Sequence, residues 1–223
     1  VNVSNLSISP AYPGNNGVYS QRVAVFLCPS DPSVGPDGVV SIEGYSFGAL
    51  CYAGNALLAV RNPLTSSPSE VPQGRTRFAD ITDGTSSTIL KAEKYARCSN
   101  PVLAPAFRDG GTAWAYCTSF VFGWLPPPMV LPGKAFQPGF CIPALANLGV
   151  VNAIGPGSIF QHQPKRGDCD PTRTATSHSA MVVGFVDGSV RTLSPRMSRT
   201  TWWALVTPSG GEPLGSDWCD ADL

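Results

Sequence analysis

Residues 179–193 read SAMVVGFVDGSVRTL, two apolar, β-branched arms that meet at Asp187-Gly188. Asp-Gly tolerates the positive φ angles of a tight type I′ turn, so the segment predicts a β-hairpin. Alternation places Met181, Val183 and Phe185 on one face of the first arm and Val182 and Val186 on the other. With both faces apolar, that arm is expected to be a central strand of a covered sheet. Asp-Gly recurs at 37–38, 83–84 and 109–110, so the same turn is expected along the chain. Long helices have little room beside it: 23 Gly and 22 Pro fall among 223 residues, about a fifth of the chain against the usual ~12%. The 5 Trp, 6 Tyr and 10 Phe nevertheless need an interior. The fold class that follows is α+β and predominantly antiparallel β, a single domain over residues 1–223 with few short helices and long Pro/Gly-rich loops.

Other segments fit this pattern. Gln21–Leu27 alternates and is expected as a strand that stops at Cys28-Pro29-Ser30-Asp31-Pro32, where two prolines block helix and ladder alike. Val39–Ile42 and Ser46–Tyr52 read as neighbouring strands. Asn62–Gly74 reads as an exposed loop, Phe78–Glu93 as a turn followed by a β-favouring run, and Ala113–Phe122 as an aromatic strand. From about 125 to 157 the chain turns to proline, glycine and small apolar residues, which predicts a long packed loop or insertion. Ser198 is placed to cap a short helix over Thr200–Val206, ended by Thr207-Pro208-Ser209-Gly210-Gly211.

Charge excludes one class of partner. Fifteen Lys and Arg balance fifteen Asp and Glu, so no basic field attracts phosphates and no nucleic acid is expected as a partner. No apolar run approaches the roughly 18 residues of a membrane helix. The seven cysteines, Cys28, Cys51, Cys98, Cys117, Cys141, Cys169 and Cys219, are evenly spread without a C-x-x-C pair, so a zinc site of the usual spacing is absent. All seven are disulfide candidates, which points to an oxidising compartment; buried free thiols are the alternative. Cys28 and Cys51 flank expected neighbouring strands and are the pair favoured by position.

Several motifs carry chemistry. Gly44-Tyr45-Ser46-Phe47-Gly48 matches the G-x-S-x-G elbow that presents a nucleophilic serine, and Asp168 or Asp170 followed by His178 completes a hydrolase order. Against it stand the short chain ahead of Gly44, Gly54 and Asn55 where the supporting helix should run, and the lack of an oxyanion-hole loop. His162 and His178 could ligate a metal with Asp168, Asp170 or Asp187. Outside the cell the ion best matched to acidic loops is calcium, with Asp168, Asp170 and the C-terminal Asp217, Asp220 and Asp222 as candidates. Asn2 and Asn5 begin N-x-S sequons. No other cofactor is expected.

Taken in order, six blocks resemble one bacterial family. They are Phe26-Leu27-Cys28-Pro29-Ser30-Asp31-Pro32, then Tyr52-Ala53-Gly54-Asn55, then Ile81 through Asp83-Gly84 to Leu90 with Glu93. Cys169-Asp170-Pro171 with His178, Asp187-Gly188-Ser189-Val190-Arg191, and Thr207-Pro208 through Leu214-Gly215-Ser216-Asp217-Trp218 complete the series. The family is a large set of prepilin-like surface proteins of unknown function, related to the G-type pseudopilins of type II secretion. Its C-terminal signature is a histidine and an Asp-Gly pair with about nine residues between them; His178 and Asp187-Gly188 match it with eight between them.

The resemblance implies a pilin-like globular head that is exported to the periplasm or cell surface. Family members begin with a prepilin peptidase site and a long apolar helix. Here the chain opens on Val1 with neither, so a stem helix is expected to have been left out, and the membrane is expected as a partner only through that stem. The implied partners are copies of the chain itself or other pilin-like subunits in a filament or surface assembly. No catalytic residue carries over, and His178, Asp187, Gly188, Asp83 and Gly84 are expected to be structural. The readings set beside this one are an extracellular solute- or glycan-binding module, for which the aromatics offer stacking surfaces, and a serine hydrolase using Ser46.

Overall fold

The computed structural model describes residues 8–9, 12–13, 15–42, 45–59, 76–103, 107–114, 134–136, 138–147 and 149–218. Cys117, Cys219, Asp220, Asp222, Gly44, the sequons at Asn2 and Asn5, the expected loop 62–74 and most of the expected strand 113–122 lie outside the described residues. The architecture is α+β and mostly antiparallel β. Fourteen short strands are described: β1 (Ile8–Ser9), β2 (Tyr12–Pro13), β3 (Val39–Ile42), β4 (Tyr45–Gly48), β5 (Tyr52–Asn55), β6 (Ile89–Glu93), β7 (Arg97–Ser99), β8 (Asp109–Gly111), β9 (Lys134–Phe136), β10 (Gly139–Phe140), β11 (Gln161–His162), β12 (Ala175–Thr176), β13 (Met181–Phe185) and β14 (Val190–Leu193). Two α-helices accompany them, α1 (Pro143–Asn147) and α2 (Arg199–Val206).

The principal sheet runs β10-β5-β6-β13-β14, antiparallel except for the parallel β10–β5 edge. β13 lies inside it, with Met181, Val183 and Phe185 buried and Val182, Gly184 and Val186 half-buried. The interior face of this sheet meets helix α2. Ser198 caps that helix by accepting from Thr201 N at 3.1 Å. Trp202 is fully buried, its ring 6.0 Å from that of Phe140 and 5.5 Å from that of Phe160, and its indole donates to Ser158 Oγ at 3.2 Å. Filling such a site with a large aromatic contributes about 3–5 kcal/mol relative to alanine.

A second cluster packs Cys28, Val40, Ile42, Phe47, Ala49, Cys51, Ala96, Ala113 and Phe136 between the β3–β4 hairpin and the β7-β8-β9 sheet. Cys98 and Cys169 form a disulfide with Cα atoms 5.6 Å apart, joining β7 to the loop before β12.

The structure corrects several expectations. Gln21–Leu27 is not a strand: Ala24–Phe26 forms a 3-10 turn in which Phe26 N donates to Val23 O at 2.9 Å and Leu27 N to Ala24 O at 3.1 Å. Val25 therefore points to solvent and is 76% exposed, although alternation alone would pair it with the core. Ser46–Tyr52 splits into β4 and β5 because Ala49 and Leu50 turn away to pair with Ala113 and Thr112. Part of the expected insertion 125–157 belongs to the framework: β10 extends the principal sheet, and Ile142, Leu145 and Ala153 pack with Ala56.

The 187–188 turn also differs in type. Phe185 O accepts from Gly188 N at 3.1 Å, Phe185 N donates to Ser189 O at 2.8 Å, and of the two turn residues only Gly188 takes a positive φ, +88°. That is a type I turn with a glycine bulge, a three-residue connection in place of the two-residue type I′ loop. Asp83-Gly84 and Asp37-Gly38 form similar i→i+3 turns with glycine last, but neither closes a hairpin. Asp109-Gly110 lies within β8 and is no turn at all.

Candidate functional site

The G-x-S-x-G match does not fold as an elbow. Ser46 sits exposed inside β4, opposite Ser41 of β3, and an antiparallel strand gives neither the sharp strand-to-helix turn nor the helix that a nucleophile elbow needs. Gly48 has a different reason to be glycine: a Cβ there would collide with the indole of Trp114 and the Gln21 carbonyl, which themselves hydrogen-bond at 2.9 Å. His178 makes no hydrogen bond with Ser46; its ring is engaged elsewhere.

The acidic candidates likewise have local partners. Asp170 is buried, its Oδ1 accepting from Thr172 N at 2.9 Å and from Thr172 Oγ1 at 2.6 Å. Asp217 sits at the start of α2 and accepts from Ser198 N and Thr201 Oγ1, and these bonds hold its carboxyl below the ordinary range. Asp187 accepts from Ser189 N at 2.9 Å and Ser189 Oγ at 2.7 Å, which likewise lowers its carboxyl pKa. Asp168 is exposed. These residues do not gather into a three-carboxylate group, nor do His162 and His178 meet over Asp168, Asp170 or Asp187.

The structure instead brings His178 to two residues that spacing did not connect with it. His178 Nε2 stands 3.4 Å from Cys28 Sγ and 3.2 Å from Glu93 Oε1, and the three donor atoms lie within 4.8 Å of one another. Each comes from a different element: Cys28 from the loop after the 3-10 turn, Glu93 from the end of β6, His178 from the turn between β12 and β13. Among the described residues this is the one such group of cysteine, histidine and acidic side chains.

Each member is held from behind. Glu93 Oε2 accepts from Thr176 Oγ1 at 2.6 Å and from Val182 N at 3.1 Å, leaving Oε1 turned to the histidine. The same Thr176 hydroxyl oxygen accepts from His178 N at 3.1 Å. The Cys28 loop closes through Asp31 N to Cys28 O at 3.1 Å, and Asp31 anchors it by accepting from Ser33 N at 2.8 Å and Ala96 N at 2.9 Å. Burial pushes the Cys28 thiol up, and nearby Glu93 adds to the effect. An activated cysteine nucleophile needs the opposite shift.

The favoured pair Cys28 and Cys51 is not bonded; both are free, buried thiols, as is Cys141. Cys28 faces His178, and burial, with the nearby Asp31 carboxylate, raises the Cys51 pKa. Cys141 donates to Ser158 Oγ at 3.2 Å and is pushed up to about 12, chiefly by burial.

The signature residues hold the fold together. Asp83 accepts from Gly210 N at 2.8 Å and Gly211 N at 3.0 Å, tying the 81–84 turn to the loop after α2. Asp187 N donates to Thr85 O at 3.1 Å, so the two Asp-Gly turns lie side by side. Trp218 packs on Phe185 at 5.8 Å, with the Arg191 guanidinium near both rings. Sequence reading missed the roles of Asn55, Thr176 and Glu93, although Asn55 and Glu93 stand in the recurring blocks.

A family model described as a protein of unknown function (DUF1559, SBP_bac_10) matches residues 4–198. No curated protein and no solved structure matches the chain.

Proposed function

The chain belongs to the DUF1559 family, and we propose that it is the exported, pilin-like head of a surface or filament subunit, which works by assembling with copies of itself or with other pilin-like subunits and not by catalysis. The observation that carries this reading is how the recurring blocks are used. Asp83, Asp187, Gly188, Asn55 and Asp217 are all bound up in turns, caps and strand ends, so these residues specify a shape.

The Cys98–Cys169 disulfide supports export, since such bonds persist in oxidising compartments. Among the described residues no helix is long and apolar enough to cross a membrane, so anchorage in this reading falls to the stem. Sequencing the complete reading frame tests the proposal. A prepilin peptidase site followed by about 20 apolar residues ahead of Val1 is expected; a frame opening at Val1 would contradict it.

A further inference from the structure

We propose that Cys28, Glu93 and His178 form a binding site for a zinc ion, with the fourth coordination position left to water. Cys28 Sγ and Glu93 Oε1 both approach Nε2 of His178, at 3.4 and 3.2 Å. That nitrogen carries at most one proton, so it cannot give each of these two atoms a full hydrogen bond of its own. In a Cys-His-acid catalytic relay the carboxylate would take the other ring nitrogen, leaving Nε2 to the thiol. Here the three donor atoms instead lie together, all within 4.8 Å of one another.

The spacing matches the ion. Zinc bonds of about 2.3 Å to sulfur, 2.0–2.1 Å to nitrogen and 2.0–2.2 Å to oxygen, arranged tetrahedrally, put neighbouring donors about 3.4–3.6 Å apart. The 3.4 Å sulfur-to-nitrogen and 3.2 Å oxygen-to-nitrogen separations fall at or just under that range. Thiolate, imidazole and carboxylate together suit a borderline-soft divalent cation better than calcium, which takes oxygen alone. On binding, the Cys28 thiol gives up its proton to solvent.

The surroundings behave as a supporting shell. Thr176 Oγ1 orients Glu93 through Oε2 and holds the His178 backbone, so one hydroxyl fixes two of the three ligands. Cys28 and Glu93 are buried, while the His178 side chain is 39% exposed, which leaves a path for the ion and room for a water on that side.

The full chain, stripped with a chelator and titrated with zinc chloride under conditions that keep the Cys98–Cys169 bond, is expected to take up one zinc per molecule. Cobalt(II) in its place should give a thiolate-to-cobalt charge-transfer band in the near ultraviolet. Cys28→Ser and His178→Ala should each abolish that band, Cys141→Ser should leave it, and Thr176→Val should weaken zinc affinity about 10–100-fold. If Cys28→Ser fails to fold, His178→Ala decides alone, since it alters the exposed member. Absence of the band, its persistence in His178→Ala, or a Cys28–Cys51 disulfide in the purified chain would overturn the proposal.

Discussion

The side-chain amide of Asn55 donates to the main-chain carbonyl of Val206 at 2.7 Å, joining the end of β5 to the last turn of helix α2 across 151 residues of sequence. The same amide donates to Ile89 O at 2.8 Å, and its oxygen accepts from Leu57 N at 3.0 Å. A helix C-terminus that points into the protein must find partners for its last carbonyls, and Asn55 supplies one.

Asn55→Ala is therefore expected to destabilise the fold by about 2–5 kcal/mol, because two carbonyls inside the protein lose their donor at once. Asn55→Asp keeps an acceptor for Leu57 N but turns a carboxylate toward both carbonyls, so it should be no milder. Urea unfolding of the two variants checks this; a loss below about 0.5 kcal/mol in Asn55→Ala would show the clamp to be dispensable.

The Cys98–Cys169 bond closes a loop spanning 71 residues, for which the chain-entropy relation gives about 4 kcal/mol. Cys98→Ser and Cys169→Ser should each lose about that much, and the double variant no more than either alone. Additive losses would mean that the two thiols act separately.

Lys94 is fully buried, donates to Gly139 O at 2.9 Å, and burial holds its pKa down to about 7 against an ordinary 10.5. The unfolded chain thus binds this proton more tightly than the folded one between those values. Stability should rise as pH goes from about 7 toward 9, with the full burial penalty present below pH 7. Above about 9 the raised thiols of Cys51 and Cys141 act in the opposite sense, because the unfolded chain loses those protons first. Unfolding free energies measured at intervals from pH 6 to 9 should show the rise, and Lys94→Met should flatten it.

Asp83→Ala should release the loop at 208–211 while leaving the sheet intact, at a cost of about 1–3 kcal/mol. Hydrogen exchange at the Gly210 and Gly211 amides is the readout. Protection that survives the substitution would place the anchor elsewhere.

What the residues revealed in advance was the local part of the fold. The arms flanking Asp187-Gly188 became β13 and β14, and Ser198 starts α2 one residue ahead of the helix read from spacing. Both signals depend on neighbours in sequence, where alternation and capping operate. Val25 and its flanks alternate convincingly and still form a 3-10 turn, since the competing i→i+3 bonds leave no trace in polarity. The Cys28, Glu93 and His178 cluster was invisible for a related reason. Its members are 65 and 85 residues apart along the chain and share no motif, so only the packing of β6 against β13 and of the Cys28 loop against Ala96 unites them. The disulfide was legible as a class of bond and not as a pairing, which spacing never specifies.

The most direct test of the assembly account is to shear the surface of the host cells and examine the released fraction. The chain is expected there in sedimenting assemblies, with Cys98 and Cys169 linked to each other. Recovery confined to the reducing cell interior, as dispersed molecules carrying both of those residues as thiols, would contradict it.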